Sequence, residues 1–128
     1  MIFGIGTDIV NIPRIERSLK RFGDRFSRRI LTQSEYEQYI HSSIPAHFLA
    51  KRFAAKEATA KALGTGFRHG LGLSHIGVVN DEYGKPGLRY YEQAAQLVEE
   101  KKIAVSHLSL SDDGDYAVAY VVLICADS

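Results

Sequence analysis

Between Ser43 and Gly64 lies the feature that most limits the fold, a long helix narrowed by alanine. Ser43-Ile44-Pro45 opens it, because proline is at home in the first helical turn and disruptive deeper in. The helix runs to about Leu63, roughly 30 Å at 1.5 Å per residue, and Gly64 is a natural left-handed stop. Ala50, Ala54, Ala55, Ala58, Ala60 and Ala62 keep it thin, so other backbone can approach it closely. It reads as the central element around which the rest is arranged.

On either side the pattern changes to strands. Ile2 to Val10 is an apolar run punctuated by Gly4 and Gly6 and ending near the polar pair Thr7-Asp8, as in a buried strand. Ile12, Ile15, Leu19, Phe22, Phe26 and Ile30 then recur at steps of three and four, one apolar helical stripe bent or broken near Gly23. Thr32 with Glu35 three residues on predicts a capping box and a short helix towards His41. Beyond a glycine-rich loop (Gly64, Gly66, Gly70, Gly72) come a strand over Ile76–Asn80, a turn, and Gly87–Tyr90. Tyr91–Lys102 is an amphipathic helix. A closing hairpin joins His107–Ser111 to Tyr116–Cys125 through Asp112-Asp113-Gly114-Asp115. Two β-rich parts flank a long helix, so the class is α+β.

With 128 residues and no linker or repeat, the chain reads as one domain, 1–128. The 45% hydrophobic and 24% charged fractions are those of a globular chain. A lone Cys125 excludes a disulfide framework and a four-thiolate zinc site within one chain. The apolar stretch Tyr116–Ala126 is too short to span a bilayer. No basic region precedes the first apolar run, so it does not read as a signal peptide. A cytoplasmic protein without a membrane partner is the expectation. The net charge of +1 conceals a division: residues 1–69 carry twelve Lys/Arg against six Asp/Glu, residues 70–128 four against nine. Such asymmetry suits an acidic partner.

Several residues carry possible chemistry. Asp8 sits at the end of an apolar strand, where a carboxylate is costly unless paired or bound to a cation; alternatively it caps the helix starting near Asn11-Ile12. Glu57 and Lys61, four apart, share a helix face. They form either a surface ion pair worth about 0.3–0.5 kcal/mol or, with Phe53 and alanines around Glu57, part of a ligand site. Asp8 and Glu57 together are an all-oxygen pair, which suits Mg²⁺ with its waters and substrate phosphates. The five histidines show no zinc-ligand spacing. The glycine loop lacks the Gly-Lys-Ser/Thr of a phosphate loop and follows a helix C-terminus, where the dipole disfavours anions. Its glycines nevertheless allow backbone N–H groups near a ligand, with Lys61 and Arg68 supplying charge. Arg14, Arg17, Arg21, Arg25 and Arg28 follow helical steps, either as a solvated face or as a grip for an acidic partner. His107 reads as a histidine hydrogen-bonded within its sheet, and Cys125 as core.

The segments Gly4-Ile5-Gly6-Thr7-Asp8-Ile9-Val10, Arg52-Phe53-Ala54-Ala55-Lys56-Glu57-Ala58 and Lys61-Ala62-Leu63-Gly64-Thr65-Gly66 resemble the holo-[acyl-carrier-protein] synthase family. These are the small 4′-phosphopantetheinyl transferases of bacterial fatty-acid synthesis. The likeness continues through Asn80-Asp81-Glu82 and Gly84-Lys85-Pro86 to the last hairpin. It implies the family's α+β fold, an antiparallel sheet packed with a long central helix, one unit per chain, in a homotrimer with sites between subunits. It implies transfer of 4′-phosphopantetheine from coenzyme A to a serine of acidic acyl carrier protein, releasing adenosine 3′,5′-bisphosphate. On the matching positions it makes Asp8 and Glu57 ligands of Mg²⁺ (or Mn²⁺) and gives Lys61 a catalytic part. Arg52, Lys61, Gly64 and Thr65 fall at the coenzyme A phosphates, and Arg14, Arg17 and Arg21 on the docking helix. Asn11 stands where many members have an acid, and Asp112 where some have a cofactor-contacting histidine.

Two other classes share parts of this pattern. A basic-helix module binding nucleic acid needs neither Asp8 nor Glu57, but the stripe lacks interleaved aromatics for stacking and half the chain is acidic. A Mg²⁺-dependent phosphohydrolase would use the same carboxylates with water as nucleophile.

Overall fold

Strand β1 (Ile2–Asn11) opens the chain. In the computed structural model, which describes residues 1–126, it is followed by α1 (Ile12–Phe22), α2 (Asp24–Ile30), α3 (Gln33–Tyr39) and α4 (Pro45–Leu63). A short 3-10 turn at Leu73–His75 leads to β2 (Ile76–Asn80) and β3 (Pro86–Tyr90), then α5 (Glu92–Glu100), β4 (Ile103–Asp113) and β5 (Tyr116–Cys125). The last two positions of the expected 1–128 domain lie outside the described residues.

Alternation along β1 puts Gly4, Gly6 and Asp8 on one face and Ile5, Thr7 and Ile9 on the other. The glycine face receives α4. A Cβ on Gly6 would fall 1.9 Å from the Ala58 carbonyl oxygen, and one on Gly4 2.1 Å from that of Ala62. Glycine on the strand and alanine on the helix therefore bring two backbones into contact that larger residues would separate. β1, β5 and β4 form an antiparallel sheet in that order, and Ala117, Ala119, Val121 and Leu123 of β5 continue the buried face beneath α4. β2 and β3 form a separate two-stranded ribbon. This is the α+β arrangement of an antiparallel sheet packed with one long helix.

Local signals explain most boundaries. Gly23, at φ 61°, ends α1 and starts α2, so the apolar stripe is cut where the glycine stands. Thr32 and Glu35 make both bonds of the capping box on α3. Gly64 closes α4 at φ 81°. Pro45 is the first residue of α4, and Ser42, rather than Ser43, accepts the Ile44 N–H.

Five expectations are corrected. β1 is not buried throughout: Ile5 and Ile9 are exposed, because only the face with Gly4 and Gly6 packs on α4. Phe22 is exposed, because it is the last residue of α1 at the turn made by Gly23. β4 begins at Ile103, four residues before His107: Lys102, in the left-handed region, turns the chain after α5, and Ile103 already pairs with Cys125. His107 lies exposed on the outer sheet face, with no side-chain hydrogen bond among the described residues. Cys125, near the strand end, is only half-buried. Among the described residues no helix is long and apolar enough to cross a membrane.

Candidate active site

The packing that forces Gly4 and Gly6 under α4 carries Asp8, two residues further along the same face, to that helix. There Lys61 reaches across 53 positions of sequence: its Nζ donates to Asp8 Oδ1 at 3.0 Å and to the Thr7 carbonyl at 3.0 Å. Asp8 does not cap α1. Asn11 does, its Oδ1 accepting the Arg14 N–H at 2.9 Å.

Glu57 stands one turn before Lys61 on α4, yet the two form no ion pair. Lys61 is turned to Asp8, and Glu57 has no hydrogen bond or salt bridge among the described residues. Burial and the neighbouring Asp8 hold its carboxyl above the usual carboxylate range, with Lys61 partly opposing them. Asp8 and Glu57 line one cavity of about 350 Å³ with Ile15, Phe26 and Phe53. Arg14 and Asn11 stand at the same opening. Two carboxylates meeting at a partly apolar pocket, one of them without a partner, fit a hard cation with oxygen ligands. Among the described residues no cluster of three or more His, Cys, Asp and Glu exists that would hold an ion by protein groups alone. The remaining ligands would then be waters and substrate oxygens, as Mg²⁺ prefers.

Two residues after Lys61, α4 ends and the loop runs through Gly64 and Thr65, whose Oγ1 donates to the Gly66 carbonyl. Arg14, Arg17 and Arg21 are exposed along α1, as is Arg25 on α2, and none has an acidic partner among the described residues. Arg28 differs, since its Nε is 2.7 Å from Asp24. Asp112 pairs with Lys51 at 3.2 Å.

Arg52 is not part of this group. It is 7% exposed, its guanidinium lies over the Phe48 ring at 4.5 Å, and its Nε is 3.6 Å from Glu35. It belongs to a buried ionic centre that the charge pattern did not reveal. Glu35 Oε1 accepts the Lys56 ammonium at 2.6 Å and the Thr32 N–H at 2.9 Å; Oε2 accepts the Val78 N–H at 2.9 Å. Lys56 also donates to the Leu73 carbonyl at 3.1 Å. Burial pushes Lys56 below the ordinary lysine range, and Glu35 pulls it back. The capping box was the one sequence signal here, marking Glu35 as the residue with a fixed partner.

The chain matches the 4′-phosphopantetheinyl transferase superfamily over residues 4–121. It belongs to that superfamily and, within it, to the holo-[acyl-carrier-protein] synthases. It is 53% identical over 123 residues to the holo-[acyl-carrier-protein] synthase of Nitrosospira multiformis, covering 96% of this chain and 98% of that one. The synthase of Pectobacterium carotovorum is 49% identical over 122 residues, covering 95% and 97%. Among solved structures, the synthase of Neisseria meningitidis superposes with a TM-score of 0.92 at 46% identity, covering 97% of this chain and 99% of that one. The Bacillus anthracis synthase in complex with CoA (3′,5′-ADP) gives 0.82 at 40% identity, covering 98% and 99%.

Proposed function

We propose that this chain transfers 4′-phosphopantetheine from coenzyme A to a serine of apo acyl carrier protein, for fatty-acid biosynthesis, and releases adenosine 3′,5′-bisphosphate. The observation that carries the reading is the meeting of Asp8 and Glu57 at one pocket, with Lys61 bonded to Asp8, in a chain whose relatives bear the synthase name. The serine Oγ forms a bond to the phosphorus next to pantetheine. The bridging P–O bond to the adenosine 5′-phosphate breaks, and that phosphate leaves with the bond electrons. Asp8 and Glu57 would hold Mg²⁺, or Mn²⁺ in its place, which neutralises diphosphate charge when bound. Lys61, with the backbone at Gly64 and Thr65, binds the phosphate oxygens and stabilises charge on the leaving group. The serine proton passes to a carboxylate of the pocket, Asp8 or Glu57. Arg14, Arg17 and Arg21 dock the acidic carrier protein. Arg52, which the resemblance places at the coenzyme A phosphates, is held against Glu35 and over the Phe48 ring.

Incubation with coenzyme A, Mg²⁺ and apo acyl carrier protein tests the reading. The carrier protein should gain the mass of one phosphopantetheine, with adenosine bisphosphate formed in step, and chelation should stop both. Hydrolysis of coenzyme A without carrier-protein gain would instead indicate a phosphohydrolase. Glu57→Gln keeps the side-chain volume but removes the charge; turnover should fall about a hundredfold with an unchanged melting curve.

The homotrimer belongs to the same proposal. The sheet face opposite α4 exposes Ile5, Ile9, Val118 and Tyr120, with Ile9 paired to Val118 and Thr7 to Tyr120. A contiguous apolar sheet face is costly in water and suits further copies of the chain. Ile9→Lys should yield monomers by sedimentation and should lose activity, since a shared site needs its neighbour. A fully active Ile9→Lys monomer would overturn the trimer.

A further inference from the structure

Lys61 has two possible anionic partners and takes only one. Four residues along α4 lies Glu57, the ordinary partner for a lysine at that spacing. The ammonium instead crosses to β1, donating to Asp8 Oδ1 and the Thr7 carbonyl, both at 3.0 Å. The Asp8 side chain is 16% exposed and that of Lys61 53%. The positive charge therefore covers an inward carboxylate from the solvent side. Without it, two carboxylates would share a partly apolar pocket with no counter-charge bound to either, an arrangement that like-charge repulsion and desolvation disfavour.

We propose that Lys61 is the resident counter-cation of Asp8, holding the carboxylate in place when the site is empty and competing there with a divalent ion. This rests on the reading that Asp8 and Glu57 take such an ion. Lys61 is then a positioning residue before it is a phosphate ligand. Once Asp8 is taken up by the ion, its ammonium is released to the pocket mouth, where the coenzyme A diphosphate arrives. The competition links metal loading to substrate binding through one side chain. The empty site binds the ion weakly, and a bound diphosphate favours it by drawing Lys61 away from Asp8.

The consequence runs against the usual effect of damaging an active site. Removing Lys61 should tighten metal binding to the free protein. Mn²⁺ binding, followed by the electron spin resonance of the free ion in the absence of coenzyme A, is measured for wild type, Lys61→Met, Lys61→Arg and Asp8→Asn. Lys61→Met removes a unit charge from beside a divalent site and should lower the Kd for Mn²⁺ about tenfold. Lys61→Arg retains the charge and should stay near the wild-type value, and Asp8→Asn should bind more weakly than either. Adding coenzyme A, without carrier protein, should tighten Mn²⁺ binding to wild type and do so much less in Lys61→Met. A Lys61→Met Kd equal to or weaker than wild type, in a variant with the wild-type circular dichroism spectrum, overturns the counter-cation role while the metal site stands. If Asp8→Asn and wild type bind Mn²⁺ alike, the metal reading itself falls and this proposal with it.

Discussion

Glu35→Ala is expected to destabilise the protein by about 3–5 kcal/mol, because it strands a buried ammonium. Lys56 is fully buried, and its partners are Glu35 Oε1 and the Leu73 carbonyl. Removal of the carboxylate leaves Arg52, already carrying an Nε without a hydrogen-bond partner, beside an uncompensated lysine. The Thr32 and Val78 N–H groups lose their acceptor at the same moment. A loss of that size is a large share of the roughly 5–15 kcal/mol by which a domain is stable. Chemical denaturation of the single variant and of Glu35→Leu/Lys56→Met separates charge from packing. The double variant should recover part of the loss, since an apolar pair of similar volume often replaces a buried ion pair at little cost, while Arg52 stays without its Glu35 partner. Equal instability in both would mean that the Arg52 charge and the hydrogen bonds to Thr32 and Val78, rather than the stranded lysine, set the penalty.

Gly6→Ala should cost about 3 kcal/mol, at the top of the range for overpacking. The added methyl would lie 1.9 Å from the Ala58 carbonyl oxygen and 2.8 Å from the Ala62 nitrogen. Both are backbone atoms, so no side-chain rotation relieves the clash and α4 must move as a body. Asp8 lies two residues beyond Gly6, and both Glu57 and Lys61 ride on α4. The same displacement therefore opens the active site, and transfer activity should fall more steeply than stability. Calorimetry should show a melting temperature lower by about 10 °C. Gly87→Ala is the matching control: its new Cβ would meet only the Val79 carbonyl oxygen, at 3.8 Å, an ordinary contact. Equal melting temperatures for the two variants would refute the close-packing account.

Elements were readable from sequence where one residue type has a local physical role. Gly23 and Gly64 stop helices through their left-handed geometry, Thr32 and Glu35 bond within four residues, and Pro45 begins a helix. Readings based on periodicity alone were less secure at the ends of elements. Phe22 follows the apolar spacing yet faces solvent, because the spacing does not register the turn at Gly23. Nothing near Ile103 marks the start of β4, because its first pairing partner, Cys125, lies 22 positions away.

The same division holds for the site. Sequence alone determined a long alanine-rich helix, a glycine-punctuated strand that carries Asp8, and carboxylates of a kind that suit a hard cation. It could not decide whom Lys61 serves: spacing along α4 favours Glu57, and the fold delivers Asp8 instead. Nor could it distinguish Arg52, buried on Glu35, from the exposed arginines of α1. Charge partners are chosen by distance in space, and that distance was set when Gly4 and Gly6 let β1 lie directly against α4.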